Sequence, residues 1–293
     1  MRKYTIIIPT KDRFETLKWT VESCLNINYP NFEIIISDNC SEDETQLWIQ
    51  ELDHPKIKYF RTPCKMGMSA NWEFALSKVN EGMITILGDD DALLPDSLNR
   101  IEFLLNKYQL DAISWKQAFY RWPNNDFVRI KNLLSLPIKK GTEIRNCKTM
   151  LQNVVTLNSF PADLPWLYGG FVDCKYINLI KQQSNKQFFH SKIPDIYSAI
   201  VLSSVIEEYV FSYEPFSIAG HSAKSNGSAQ IQVSSDFSEQ NENFLKESET
   251  HLFHPSLEFV HVYPILIWES VMQAMDIGVL RPGIILNKQF LLD

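Results

Sequence analysis

The chain lacks paired cysteines, long apolar runs, internal repeats and low-complexity tracts, and it lacks an excess of basic charge. Its five cysteines (Cys24, Cys40, Cys64, Cys147 and Cys174) are odd in number and scattered, with no CxxC pair. They read as reduced thiols rather than a disulfide framework or a zinc site. No stretch approaches the ~20 apolar residues of a membrane span. The start, Met1-Arg2-Lys3-Tyr4, carries the charge of a signal peptide, but Ile6-Ile7-Ile8 stops at Pro9. That run is too short for a secretory segment. A cytoplasmic place is therefore expected, with peripheral contact at the inner face of a membrane as an added option. Lys and Arg number 28 against 35 Asp and Glu, a net charge of −7, which argues against a nucleic-acid partner.

What is present is an ordinary globular composition, 45% apolar and 22% charged over 293 residues. That length suits one large domain or a domain with an appendage. The most informative feature is Asp89-Asp90-Asp91, which follows Met83-Ile84-Thr85-Ile86-Leu87-Gly88. An apolar, β-branched run reads as a buried strand. Three adjacent carboxylates repel one another and are costly to bury. A divalent cation on a phosphorylated ligand would draw them together, since Mg²⁺ and Mn²⁺ take hard oxygen ligands. An acidic strand-to-helix turn is the plain alternative, because Pro95-Asp96-Ser97 looks like a helix start.

Strand-like and helix-like segments alternate over the first ~110 residues. Strands are expected at Tyr4–Ile8, Phe32–Ser37, Ile57–Phe60, Met83–Leu87 and Leu110–Trp115. Helices are expected at Phe14–Leu25, Thr45–Leu52, Asn71–Val79 and Ser97–Tyr108. This alternation predicts a mostly parallel sheet flanked by helices. Ligands of such sheets bind beyond the carboxyl ends of the strands. Pro9-Thr10, Asp38-Asn39 and the acidic triplet all sit at such ends, which favours the metal reading of the triplet. Farther on, Lys116–Arg129 alternates in the manner of a sheet, Thr142–Val155 and Ile196–Tyr209 read as helices, and Asn158–Trp166 reads as a loop. Ala219–Gln232 reads as an exposed mobile loop, and Leu257–Met275 as a helical core or a homodimer surface.

Four pieces in order resemble the family 2 glycosyltransferases. They are Thr5-Ile6-Ile7-Ile8-Pro9-Thr10 with Arg13, then Glu33 to Asp43, then Met66-Gly67-Met68-Ser69-Ala70-Asn71. The fourth is Ile86-Leu87-Gly88-Asp89-Asp90-Asp91 with Leu94-Pro95-Asp96-Ser97-Leu98. The resemblance implies a GT-A fold, α/β and Rossmann-like. It divides the chain into a nucleotide-sugar half (1–115), an acceptor and catalytic half (116–235) and a C-terminal helical extension (236–293).

The resemblance also implies roles. Pro9, Thr10, Asp38 and Asn39 sit where the family holds base and ribose; Asp38 also fits a turn-forming role in Asp-Asn-Cys-Ser. Arg13, Gly67 and Asn71 are expected near the donor, with Gly67 allowing close backbone approach. Counting back from Pro95, Asp90 falls on the metal position and Asp89 on the ribose position, with Asp91 a second or water-mediated ligand. Gly88 stands where many members carry an acid. The general base is expected about 90–105 residues past the metal motif at a helix start, which selects Asp195 in Ile193-Pro194-Asp195. A helix N-terminal aspartate is the structural alternative, and Asp163 and Asp173 are reserves.

His221 could complete the metal shell, and Lys224 could meet phosphate as a point charge. Trp166 could form a sugar platform, or pack in the core. The implied activity is transfer of a sugar from a nucleotide-sugar donor, UDP-linked first, with Mn²⁺ or Mg²⁺. The acceptor would be a glycan or lipid-linked glycan of bacterial surface polysaccharide. A sugar nucleotidylyltransferase would want a glycine-rich loop after the first strand, which Pro9-Thr10-Lys11-Asp12-Arg13 lacks. A non-catalytic glycan-binding module is opposed by the intact triplet and Asp38.

Overall fold

The structure is a computed structural model, and it describes residues 1–123, 130–225, 253–258, 260 and 262–286. Its first half alternates as β1 (Tyr4–Thr10), α1 (Phe14–Leu25), β2 (Phe32–Asp38), α2 (Thr45–Leu52), β3 (Ile57–Arg61), α3 (Met68–Leu76), β4 (Met83–Ile86), β5 (Ala92–Leu93) and α4 (Ser97–Tyr108). The second half runs β6 (Ala112–Trp115), β7 (Ala118–Arg121), β8 (Leu133–Ser135), β9 (Thr142–Asn146), α5 (Cys147–Val155), β10 (Gly170–Asp173), α6 (Cys174–Gln183), α7 (Pro194–Val205), β11 (Glu208–Ser212), β12 (Ser217–His221) and α8 (Tyr263–Asp276).

The main sheet has the order β3-β2-β1-β4-β10-β6-β11-β9. Every strand but β10 and β9 points the same way. The isoleucine runs explain the layering. Ile6 and Ile8 face one core with Leu17 and Val21 of α1 and Ile101 of α4. Ile7 faces the other core with Trp72 of α3 and residues of α5, α7 and α8. Successive side chains on a strand point to opposite faces. Burying each such isoleucine contributes about 1.5–3 kcal/mol.

A second sheet, β5-β12-β7-β8, covers the carboxyl end of β4. It belongs to the region where sequence reading fared worst. Thr142–Val155 is not one helix: Thr142–Asn146 pairs with β11, and the Asn146 side chain then caps α5 by accepting from Thr149 N at 3.1 Å. Ile196–Tyr209 likewise splits, because Ile206 turns extended and Glu208–Ser212 joins the sheet. Ala219, Gly220 and Ser222 are buried and His221 is half-buried, not parts of an exposed loop; residues 226–232 lie outside the described residues. The C-terminal helix α8 buries Leu266, Ile267 and Val271 in the core shared with α5 and α7, and Trp268 is buried beside them in the sequence.

Candidate active site

The three strand ends singled out in the sequence do converge. Thr10 Oγ1 donates to Asp89 Oδ2 at 2.8 Å, and Arg13 Nη1 pairs with Asp89 Oδ1 at 2.9 Å. Burial raises the pKa of Asp89, with Arg13 opposing and Asp90 reinforcing the shift. Burial works against the charge of Arg13, yet Asp89 and Asp90 hold its pKa above the usual value.

Asp91 is built into the fold rather than turned outward, a departure from the expected metal ligand. Its Oδ1 accepts from Gly220 N at 2.7 Å, and its Oδ2 from Gly88 N at 3.0 Å. The Tyr168 hydroxyl also bonds Asp91. Burial and the Asp90 charge push Asp91 up to about 7, against the Gly220 N–H and Tyr168. The missing acid at Gly88 now has a reason. A Cβ there would meet the Tyr168 hydroxyl at 2.7 Å and Asp91 Oδ2 at 2.8 Å. Gly220 is tighter still, since its Cβ would fall 1.8 Å from the Asp90 carbonyl oxygen.

Asp90 takes its hydrogen bonds on Oδ2, from Ser222 N at 3.1 Å, Ser222 Oγ at 2.6 Å and Ser225 Oγ. Among the described residues no hydrogen bond falls on Oδ1. No group of three or more His, Cys, Asp or Glu side chains among the described residues is arranged to hold an ion unaided. The donor set therefore fits a divalent ion held by Asp90 together with diphosphate oxygens, the arrangement usual for Mg²⁺-type sites. His221 sets its ring edge-on to Phe119, 5.6 Å between centroids. Burial lowers its pKa while Asp90 opposes.

Lys224 closes the outer edge: its Nζ donates to the Asp12 carbonyl, and its own carbonyl accepts from Arg13. Arg13, Asp43, Ser222 and Lys224 line a cavity of about 240 Å³ there.

The remaining donor-side residues are held by the protein itself. Asp38 is fully buried; Oδ1 accepts from Ser41 N at 2.8 Å, and Oδ2 from Arg61 at 2.8 Å and from Tyr59. The turn-forming role is thus realised, and the spare lone pairs of a carboxylate still allow a further donor. Pro9 lies in β1, beside Ser37 of β2. Asn39 pins the loop at Met66, donating to its carbonyl at 2.7 Å and accepting from its N–H at 2.9 Å. Asn71 is committed to Ser37, whose Oγ donates to it at 2.6 Å. Gly67 precedes α3 with φ −63 and ψ 160, a conformation any residue adopts, so it needs no glycine on backbone grounds.

Asp195 stands in the first turn of α7. Its Oδ1 is shielded from solvent and has no hydrogen-bond partner among the described residues. Burial raises its pKa, with the Ile196 N–H opposing. Trp166 Nε1 and the Tyr197 hydroxyl are also buried without partners. Tyr168 links the two halves: it feels Asp91, Asp90 and Asp195 together, and its ring meets Trp166 edge-on at 5.7 Å. The Trp166–Gly169 segment is fixed against β4 through Ile86 N, which donates to the Leu167 carbonyl at 2.7 Å.

The reserve aspartates have other work. Asp163 pairs with Lys116 at 2.6 Å and Arg145 at 3.4 Å. Asp173 caps α6 by accepting from Lys175 N at 2.8 Å.

The approach to Asp195 is braced from both sides. Glu73 Oε2 accepts from Phe188 N and Phe189 N, each at 2.9 Å. Fully buried Glu269 of α8 accepts from Ser191 Oγ at 2.5 Å, and Ser191 Oγ accepts from Ile193 N at 3.1 Å. Sequence reasoning assigned no separate role to Tyr168 beside Trp166, to Ser222 and Ser225 beside His221 and Lys224, or to Glu269.

The description Glycosyl transferase family 2 matches residues 5–160. A Campylobacter jejuni protein named GalNAc(5)-diNAcBac-PP-undecaprenol beta-1,3-glucosyltransferase is 35% identical over 104 residues, 34% of each chain. An Escherichia coli protein named UDP-Glc:alpha-D-GlcNAc-diphosphoundecaprenol beta-1,3-glucosyltransferase is 24% identical over 143 residues, 49% of this chain and 55% of the relative. These alignments span about a third and about half of the relatives' lengths. Among solved structures, S. aureus TarS 1-349 in complex with UDP-GlcNAc superposes with a TM-score of 0.55 at 14% identity, covering 94% of this chain and 73% of that one. A mannosyltransferase from Pyrobaculum calidifontis in complex with GDP-Man and Mn2+ gives a TM-score of 0.52 at 13% identity, covering 94% and 74%. At these identities the structures show the shared fold, and the family match spans more than half of the chain, so the chain belongs to glycosyl transferase family 2.

Proposed function

We propose that the chain is a metal-dependent, inverting glycosyltransferase acting on a nucleotide-sugar donor, a UDP-sugar first. The acceptor is a hydroxyl of a glycan or lipid-linked glycan in bacterial surface-polysaccharide assembly, a setting suggested by the names of the two bacterial relatives. The observation that carries this reading is an unpartnered carboxylate oxygen on Asp195, joined electrostatically through Tyr168 to a donor-held acidic triplet.

Asp195 accepts the proton of the acceptor hydroxyl while that oxygen bonds to the anomeric carbon from the face opposite the leaving group. The bond from the anomeric carbon to the phosphate oxygen breaks, and its electron pair leaves with the nucleoside diphosphate. A raised pKa suits Asp195 to keep the proton it gains. Arg13 and Lys224 offer positive charge at the phosphate side, and the Asp38 pocket offers acceptor oxygens to base or ribose donors. Asp90, with His221 as a further candidate ligand, would hold a bound Mn²⁺ or Mg²⁺, which would supply positive charge at the diphosphate.

The test is a panel of nucleotide sugars with and without Mn²⁺, scored by nucleoside diphosphate release. Release that needs the metal and is lost in Asp195→Asn is the expected result. Absence of any metal-dependent binding or release across the panel would overturn the reading.

A further inference from the structure

We propose that the edge formed by β8 and its continuation to Lys140 docks the protein on an anionic lipid surface. Leu134 stands on β8, and Leu136 and Ile138 follow it at alternate positions. They are 48%, 62% and 95% exposed, and Ile130 is 54% exposed. Lys131, Lys139 and Lys140 bracket them and are exposed as well. From Ile130 to Gly141 there is no acid, in a chain whose net charge is −7. This is local positive charge around apolar side chains, set against the sign of the whole molecule. Apolar side chains entering the headgroup boundary, with lysines at its surface, are what binds a peripheral segment to anionic lipid.

Lys139 and Lys140 keep their charge beside the groups that face them, and Glu143, within electrostatic reach of Lys139, is itself paired with Arg145 at 2.6 Å. Lys139 Nζ lies 3.5 Å from the Tyr213 ring centroid, a contact that keeps its charge. Glu214, within electrostatic reach of Lys140, is paired with Arg100 at 2.6 Å. A second copy of this chain pairing along the same edge is the competing occupant. The lysines and Pro137 oppose it, since both are devices that block edge-to-edge strand pairing.

The edge is also close to the chemistry. Leu134 pairs with Tyr120, Tyr120 pairs with Gly220, and Gly220 N bonds Asp91. Two inter-strand steps of the sheet, about 10 Å, separate the apolar edge from the acidic turn. A docked edge would hold the site against the membrane, where an acceptor carried on a lipid is found. The proposal goes beyond the transfer reaction and does not depend on it, because vesicle binding requires no turnover.

The experiment is flotation of the full chain with vesicles of phosphatidylglycerol and phosphatidylethanolamine, 1:3, against vesicles of phosphatidylcholine alone. The chain should float with the anionic vesicles and be released at high salt. Lys131→Gln/Lys139→Gln/Lys140→Gln should weaken partition on the order of 100-fold, at roughly fivefold per lysine. Leu134→Ser/Leu136→Ser/Ile138→Ser should weaken it more than about tenfold. All six side chains are solvent-exposed or half so, and unchanged melting temperatures would show that both variants fold. Phe160→Ser/Val262→Ser, on a different exposed apolar patch, should float like the parent. Equal binding to both vesicle types, no binding, or full binding by the β8 variants would each overturn the proposal. So would a dimer in size-exclusion chromatography that the β8 variants dissolve.

Discussion

Around the acidic turn, both oxygens of Asp89 and both of Asp91 are held by named donors. Asp195 Oδ1, at the start of α7, and Trp166 Nε1, in the segment fixed against β4, are buried and have none among the described residues. The donor side is therefore already assembled, its mutual repulsion offset by N–H and O–H groups drawn from distant strands. The proposed acceptor side keeps polar atoms unsatisfied, which costs about 1–3 kcal/mol for each such group. Thr45, Ser97, Ser203, Trp268 and Ser270 also hold buried polar side-chain atoms without partners among the described residues, so what sets Asp195 apart is that its orphan atom belongs to a carboxylate.

The largest break in that contrast is Asp195→Asn. It should lower turnover by about 10²–10⁴-fold, with donor binding by titration calorimetry nearly unchanged. The same change should raise stability at neutral pH, on the order of 1 kcal/mol, by removing a buried charge. The sign follows from the raised folded-state pKa. The native state holds this proton to higher pH than the unfolded chain, so wild-type stability falls as pH rises from about 4 through the folded value. The variant's advantage in thermal melts should vanish below about pH 4. Turnover of the wild type should rise with pH over the same window, as the base loses its proton. A variant that is both inactive and less stable at pH 7 would break the comparison.

Asp90→Asn should come next, lowering turnover about 10²–10³-fold and abolishing the Mn²⁺ dependence of donor binding. Gly88→Ala should destabilise by about 1–3 kcal/mol, because its Cβ overpacks the Tyr168 hydroxyl and Asp91. Adding Tyr168→Phe removes one of the two crowding atoms and should recover part of that loss in a double-mutant cycle. Strict additivity would mean that the two do not meet.

The smallest effect is expected from Glu269→Gln. Burial raises the pKa of Glu269, with Ser191 opposing, so the neutral amide should match or slightly exceed wild-type stability at pH 8. Ser191→Ala should instead speed hydrogen exchange at Ile193. Unchanged exchange there would show that the brace does not hold the approach to Asp195.

The two regions also differ in how far they could be read from sequence. β1, β2 and β4 are continuous apolar runs ended by polar residues, so periodicity located them within a residue or two of their bounds. The triplet and Thr10 lie at those strand ends and were legible for the same reason, whereas Arg13, just before α1, was legible only through the family resemblance. β9 and β11 are short and border helix-like patterns, so Thr142–Asn146 and the start of β11 were absorbed into helices, while the end of β12 was absorbed into a loop rich in small residues. Ser222 and Ser225 drew no role of their own, because that role depends on Asp90, whose hydrogen bonds to them span 132 and 135 residues. Glu269 was unreadable on the same ground: its partner Ser191 is 78 residues away.

The crossing of Gly220 over the Asp90 carbonyl has a consequence for the order in which the molecule is made. The hydrogen bond from Gly220 to Asp91 joins positions 129 residues apart. A nascent chain that has emerged only through residue 160 carries the whole family-matching region and the triplet, but none of the donors on β12. Its three carboxylates would then rely on water, on Thr10 and Arg13, and on the Gly88 N–H. The proposed nucleotide pocket is thus finished late in synthesis, after the ribosome has passed Ser225, and a fragment cut at the family boundary should fold poorly and hold no metal.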